Sequence, residues 1–127
     1  GDCGFWAGHR HRMNLSVAGN YLVGETVLAS MEQAFLASDP CWKLGRRLMT
    51  ALMAGEAAGG DGRSTHSTSA ALQISGEAAF PLLDLRVDFR DLAVAELMNV
   101  YERSQELWAQ QWRDSFADLP QLNRLIA

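Results

Sequence analysis

Apolar residues recur along this chain at two different spacings, and the changes between them mark out its elements. Residues 4–9 are short, aromatic and glycine-punctuated; they predict a strand followed by a turn around Arg10, His11 and Arg12. In residues 13–18, Met13, Leu15 and Val17 alternate with polar neighbours and so share one face of a second strand. Gly19 and Asn20 then signal a turn or a bulge. Over residues 25–37 the spacing becomes helical: Val27, Leu28, Met31, Ala34 and Phe35 form one apolar stripe. Ser38, Asp39 and Pro40 interrupt it and predict the start of a second helix, with Asp39 capping free N–H groups and Pro40 in the first turn. Leu44, Leu48, Met49 and Leu52 supply the buried stripe of that helix. Ala57, Ala58, Gly59 and Gly60 end it, because glycine accepts the left-handed cap conformation.

A polar loop over 59–68 leads to a predicted strand at 69–75. After a connection at 76–81, residues 82–88 make the clearest strand in the chain. Leu83, Leu85 and Val87 lie on one face, and Asp84, Arg86 and Asp88 on the other. One long helix is predicted from Leu92 to Phe116, carrying Leu97, Val100, Tyr101, Trp108 and Trp112. A short final helix would hold Leu119, Leu122, Leu125 and Ile126. Strands therefore come in adjacent pairs with paired helices between them. A doubly wound parallel sheet alternates single strands with single helices, so this order points instead to an α+β fold of antiparallel hairpins covered by helices.

Composition narrows the classes. The 127 residues suit one modest domain or a large piece of a bigger one. With 48% hydrophobic and 20% charged residues the chain can build a core, which excludes global disorder. The formal charge is −4, and the basic residues fall in two small clusters, Arg10 to Arg12 and Lys43 to Arg47. That is not the extended positive stripe of a nucleic-acid binder. No apolar run approaches the ~18 residues of a membrane-spanning helix, and the start lacks the basic-then-apolar signature of a secretory signal. Cys3 and Cys41 are too few for a disulfide framework. Reduced thiols and a cytoplasmic location are the expectation, with no membrane and no nucleic-acid partner.

The candidate chemistry is spread over several segments. Asp84, Arg86 and Asp88 make either a solvated charge ladder or, on a covered face, a pocket or subunit seam in which Arg86 grips carboxylates at two points. The 59–63 loop, Gly-Gly-Asp-Gly-Arg, is a helix C-cap whose backbone N–H groups could also approach an anion; Asp61 and Arg63 could pair across it. No Gly-Lys-Ser/Thr follows, so it is not a P-loop. His9 and His11 face the same way on an extended segment, but with no local cysteine or acid they do not make a zinc set, and no metal or cofactor is expected. Cys3, Ser64, Thr65, Ser67, Thr68 and Ser69 are the nucleophile types present, none in a Gly-x-Ser-x-Gly elbow. Asn20 could donate its amide to an oxyanion or simply serve a tight turn. Leu107, Trp108, Trp112 and Phe116 form a stripe that suits packing on the chain's own domain or a subunit interface.

Five short motifs, in order, resemble one known family. They are Trp6-Ala7-Gly8-His9; Ser16-Val17-Ala18-Gly19-Asn20 with Leu22 and Gly24; the 54–61 run Ala-Gly-Glu-Ala-Ala-Gly-Gly-Asp with Arg63; Ser69-Ala70-Ala71-Leu72; and Asp84-Leu85-Arg86-Val87-Asp88. The family is an uncharacterised bacterial group placed in the N-terminal-nucleophile (Ntn) hydrolase superfamily, and the likeness covers residues 1 to about 101. It implies a four-layer αββα sandwich, of which residues 1–102 would be the C-terminal portion and 103–127 a helical extension. It also implies an amidohydrolase of unknown substrate, whose leading strands and N-terminal nucleophile belong to a first half not represented here. His9, Asn20, Asp61, Asp84, Arg86 and Asp88 are then the candidate substrate-binding residues. A missing N-terminal half or second subunit is the expected partner, and a homo-oligomer the expected state. The other reading of the same scaffold is a non-catalytic interaction or assembly module.

Overall fold

A computed structural model describes residues 5–12, 14–63 and 67–115. The elements run β1 (Trp6–Arg12), β2 (Leu15–Leu22), α1 (Glu25–Ala37), α2 (Leu44–Ala57), β3 (Ser69–Ile74), β4 (Leu83–Asp88), α3 (Ala93–Ser104) and α4 (Leu107–Asp114). The strands form two antiparallel hairpins, β1 with β2 and β3 with β4. α1 packs on β1 and β2 and against α2; α2 also meets β3; α3 lies on β3 and β4. The result is a mixed α+β domain in which helices back one face of each hairpin. The predicted strand-strand-helix-helix-strand-strand-helix order is therefore present.

The first hairpin differs from expectation in its turn. Arg10, His11 and Arg12 remain in β1, paired with Val17, Ser16 and Leu15, and the reversal falls beyond them. The reason is a partner far away in sequence. Glu32 on α1 is almost wholly buried, and its Oε1 accepts bonds from Arg10 Nε (3.2 Å) and Nη2 (3.1 Å) and from Arg12 Nη2 (3.5 Å). With that carboxylate beneath it, the helix-facing side of β1 can carry two arginines. Arg10 also lies 3.8 Å from Glu25. The bond from Arg10 holds the Glu32 carboxyl below its ordinary value near 4.5, with burial opposing and the Arg10 and Arg12 charges adding. A group with a depressed folded pKa contributes stability above its unfolded value and loses that contribution as pH falls through the folded one. Glu32→Gln is thus expected to lower the urea midpoint at pH 7 and to flatten the loss of stability below about pH 4.5. Parallel acid limbs for the variant and parent would contradict this.

The Gly19–Asn20 signal resolves as a bulge. Trp6 pairs with Leu22 but Gly8 with Gly19, so β2 gains a residue there, and Tyr21 takes a positive φ of 54°.

α1 has the predicted boundaries. Its C-terminus is capped from outside: Arg47 of α2 donates to the Phe35 carbonyl (3.1 Å) and the Ser38 hydroxyl (2.8 Å), stacking over the Phe35 ring. A cation there meets the negative end of the helix dipole. α2 begins at Leu44 rather than at Asp39. Asp39 is occupied locally, accepting the Cys41 N–H at 2.8 Å while its carbonyl takes the Trp42 N–H at 3.0 Å, an Asx turn that defers the helix. Leu44, expected inside, is exposed, whereas Met49 is fully buried and Leu48 and Leu52 are partly so.

The second hairpin pairs Ser69 with Asp88 through Ile74 with Leu83 without interruption. Leu72, Ile74, Leu83 and Val87 point into the main core with Met49, Leu97 and Tyr101. The single helix expected over 92–116 is broken. Ser104 is buried and its hydroxyl bonds back to the Tyr101 carbonyl (2.5 Å), while the Gln105 side chain is held by Lys43 Nζ (3.0 Å). Both bonds offer the chain alternatives to continuing the helix, and Glu106 adopts extended angles before α4 starts. Met13, Phe116 and the predicted final helix lie outside the described residues.

Candidate functional site

The glycine loop after α2 holds one predicted site residue, Asp61, and docks on the strand that carries another, Asn20. Gly59 (φ 114°) and Gly60 (φ 51°) end α2 as predicted, their N–H groups returning to the carbonyls of Glu56 and Gly55. The positive φ turns the chain onto the bulged end of β2. Gly60 accepts the Val23 N–H at 3.1 Å, Gly62 donates to the Tyr21 carbonyl at 2.7 Å, and Asp61 bridges Leu22. Asp61 and Arg63 pair as foreseen: Oδ2 meets Nη2 at 2.6 Å, and Oδ1 takes the Arg63 backbone N–H at 2.8 Å and Nε at 3.0 Å. The side-chain bonds from Arg63 hold the Asp61 carboxyl below its usual range, with partial burial opposing. The Arg63 guanidinium lies 4.4 Å over the Tyr21 ring. Tyr21, Asp61 and Arg63 thus meet at one end of the first hairpin, with Asn20 the strand residue before Tyr21.

A side chain at Gly59 would be strained twice over. Its φ disfavours any L residue, and an added Cβ would lie 2.5 Å from Val23 Cγ2. Gly59→Ala is expected to cost about 1–3 kcal/mol, with the loop amides at Asp61 and Gly62 exchanging faster. Unchanged stability in urea would refute the docking role.

The remaining predicted residues sit elsewhere. His9 is exposed on the face of β1 turned away from the helices, its ring stacked with His11 at 5.9 Å. Asp84, Arg86 and Asp88 are exposed on the corresponding face of β4, with Arg86 Nη2 3.3 Å from Asp88 Oδ1. The two hairpins therefore carry these rows separately. Ser69 and Thr68 are exposed, as is the free thiol of Cys41. Cys3, Ser64, Thr65 and His66 lie outside the described residues. Among the described residues, no group of three or more His, Cys, Asp or Glu is placed to hold a metal. Nor, among the described residues, is any helix long and apolar enough to cross a membrane.

Ser67 has a structural task that its hydroxyl alone does not advertise. It accepts the Val94 N–H at 2.9 Å and donates to Glu56 Oε2 at 2.5 Å, while its carbonyl takes the Ala93 N–H. It caps α3 from 27 residues away, a role that local sequence offers no means to find. Tyr21 was also missed, although a large residue directly after Gly-Asn in a bulge is a legible oddity.

Fold and site together define a small α+β domain with two helix-backed hairpins, one of them clamped by a glycine-rich Asp–Arg loop. The chain belongs to a family of unknown function, DUF1028, whose model matches residues 1–97. It is similar to the crystal structure of protein SPO2555 from Silicibacter pomeroyi, also assigned to DUF1028, at 26% identity and a TM-score of 0.73. The match covers 91% of this chain and 51% of that one, so the chain spans about half the length of its solved relative. No curated protein matches it.

Proposed function

We propose that this chain is one half of an Ntn-type amidohydrolase, supplying a substrate-binding wall while the nucleophile comes from the other half. The observation that carries the reading is the pair of strand faces turned away from the helices, which bear His9, Asn20, Asp84, Arg86 and Asp88 in the open. In a four-layer αββα sandwich those faces would meet a second sheet, and their polar groups would line the space between. The relative's doubled length leaves room for that second part. The chemistry would be acyl transfer to an N-terminal Thr, Ser or Cys whose free α-amine serves as base. In that arrangement the Asn20 amide is placed to donate to an oxyanion, and Arg86 to grip a substrate carboxylate. The test is the mature N-terminus of the complete protein together with turnover of a panel of small amides. A mature Thr, Ser or Cys whose replacement by Ala abolishes turnover supports the reading. A non-nucleophilic mature terminus with no turnover refutes it.

A specific observation also favours assembly. Leu107, Trp108 and Trp112 on α4 are 73%, 64% and 65% exposed. Aromatic side chains in the open on one short helix suit a subunit contact. Light scattering is expected to show a dimer that Trp108→Glu shifts toward monomer; a parent chain that is monomeric at high concentration would exclude this.

A further inference from the structure

At the start of α2, against the last turns of α3, the helix layer opens into a cavity of about 400 Å³. That lies within the roughly 300–1,000 Å³ of small-molecule sites. No strand residue lines it. Its apolar wall is Trp42, Met98 and Tyr101, and its polar rim holds Lys43, Arg46, Glu102 and Gln105.

The rim carries two cations that the chain itself does not neutralise. Among the described residues, neither Lys43 nor Arg46 forms an ion pair, and Glu102 shares the cavity without pairing with either. The next residue along supplies the contrast. Arg47 commits its guanidinium to the Phe35 carbonyl and the Ser38 hydroxyl. The Arg46 guanidinium instead lies 3.8 Å over the Trp42 ring and makes no hydrogen bond among the described residues. Stacking uses the flat face of a guanidinium and leaves the N–H groups in its plane open to both oxygens of a carboxylate. Lys43 is positioned as well. Its Nζ donates to Gln105 Oε1 at 3.0 Å, and Gln105 donates in turn to the Ser104 hydroxyl at 3.0 Å. That anchor is neutral, so it fixes the ammonium without cancelling its charge and leaves further N–H donors open. Acids outnumber bases in this chain by 15 to 11. Two positioned, unpaired bases on one cavity therefore mark a charge complementary to something outside the chain.

We propose that this cavity binds a small aromatic monocarboxylate. Arg46 and Lys43 take the carboxylate, and the ring lies against Trp42, Met98 and Tyr101. The charge follows from the rim, because two cations set against Glu102 leave one net positive charge. The ring follows from the wall, which offers aromatic faces and a pliable thioether. Glu102 stands against dianions such as phosphate monoesters. None of this depends on the amidohydrolase reading.

The test is a titration of the full chain, followed through the indole N–H signals of its four tryptophans in nitrogen-15 correlation spectra, with Trp42→Phe assigning one of them. Three probes separate the parts: 2-naphthoate carries ring and charge, 2-naphthamide the ring alone, acetate the charge alone. The Trp42 signal is expected to move saturably with 2-naphthoate, which should bind about ten-fold more tightly than either other probe. Arg46→Gln should weaken that binding about ten-fold, and Lys43→Gln should weaken it too. Arg103→Gln makes the same change of charge at an exposed position outside the cavity and should leave it unchanged. An unmoved Trp6 signal in the variants reports that the fold is kept. Equal binding of the amide would reduce the cavity to an apolar patch, and equal binding of acetate to an unselective anion contact. Equal weakening by Arg103→Gln would assign the effect to overall charge. Shifts confined to Trp108 and Trp112, or none at all, would remove the site. Each of these results overturns the proposal.

Discussion

Leu97→Ala is expected to cost about 3 kcal/mol of folding stability, within the range of roughly 2–5 found for such truncations in well-packed cores. Leu97 has no exposure at all and sits in the cluster made by Met49, Leu72, Ile74, Leu83, Val87 and Tyr101. It lies on the face of α3 that packs on α2 and the second hairpin. Removing three carbons there leaves a hole bordered by elements that cannot all move inward together. Leu92, five positions earlier, is the control. It is 55% exposed, and its truncation should stay within about 0.5 kcal/mol. Urea denaturation of the two variants decides the matter; similar midpoints would mean that the core is not where the structure puts it.

Gly45→Val is expected to lose about 2 kcal/mol, against the trend of helix propensity. Glycine inside a helix is usually a weakness, and replacing it gains up to about 1 kcal/mol. At Gly45 the space is taken. An added Cβ would stand 2.6 Å from Tyr101 Cε1 and 3.1 Å from its Cζ and Oη. Tyr101 is 3% exposed and packed against the core, so making room means displacing its ring. Overpacking of this kind costs about 1–3 kcal/mol. The variant has a spectroscopic signature. Burial pushes the Tyr101 phenol above its ordinary value near 10, with the Arg46 N–H and the Arg46 and Arg113 charges opposing. A ring driven toward solvent should titrate closer to that ordinary value. A Gly45→Val protein with parental stability and an unshifted tyrosine titration would show that the contact is slack.

Both variants depend on packing between separate elements of the chain, and the same division separates what was legible in the sequence from what was not. The α1 helix was legible because its signal is local: an apolar stripe every third or fourth residue, stopped by Ser38 and Pro40. The end of α2 was legible because two glycines after Ala58 can take the positive φ that turns the chain. The split of β4 into a buried Leu83 and Val87 face and an exposed Asp84, Arg86 and Asp88 face follows from alternation alone. The Asp61–Arg63 pair lies within three residues and could be foreseen from spacing.

Distant partners explain the misreadings. Arg10 to Arg12 reads as a polar turn until Glu32 is placed beneath it. Residues 92–116 read as one helix until Lys43 takes Gln105 and Ser104 bonds back on Tyr101. Asp39 reads as a helix cap until its carboxylate is seen holding Cys41. Ser67 reads as a loop hydroxyl until α3 is found resting on it. As for the site, the glycine loop was visible in the sequence, but its seat on Tyr21 and Leu22 was not.

By itself, the sequence determined the α+β class, the hairpin-and-helix order, the family motifs and which strand faces carry charge, because each depends on neighbours a few residues apart. Tertiary structure alone decided which polar groups find partners, and where helices start and break. The physical reason is that a buried donor, acceptor or charge must be satisfied wherever the chain can reach it, and that reach is set by packing rather than by distance along the sequence.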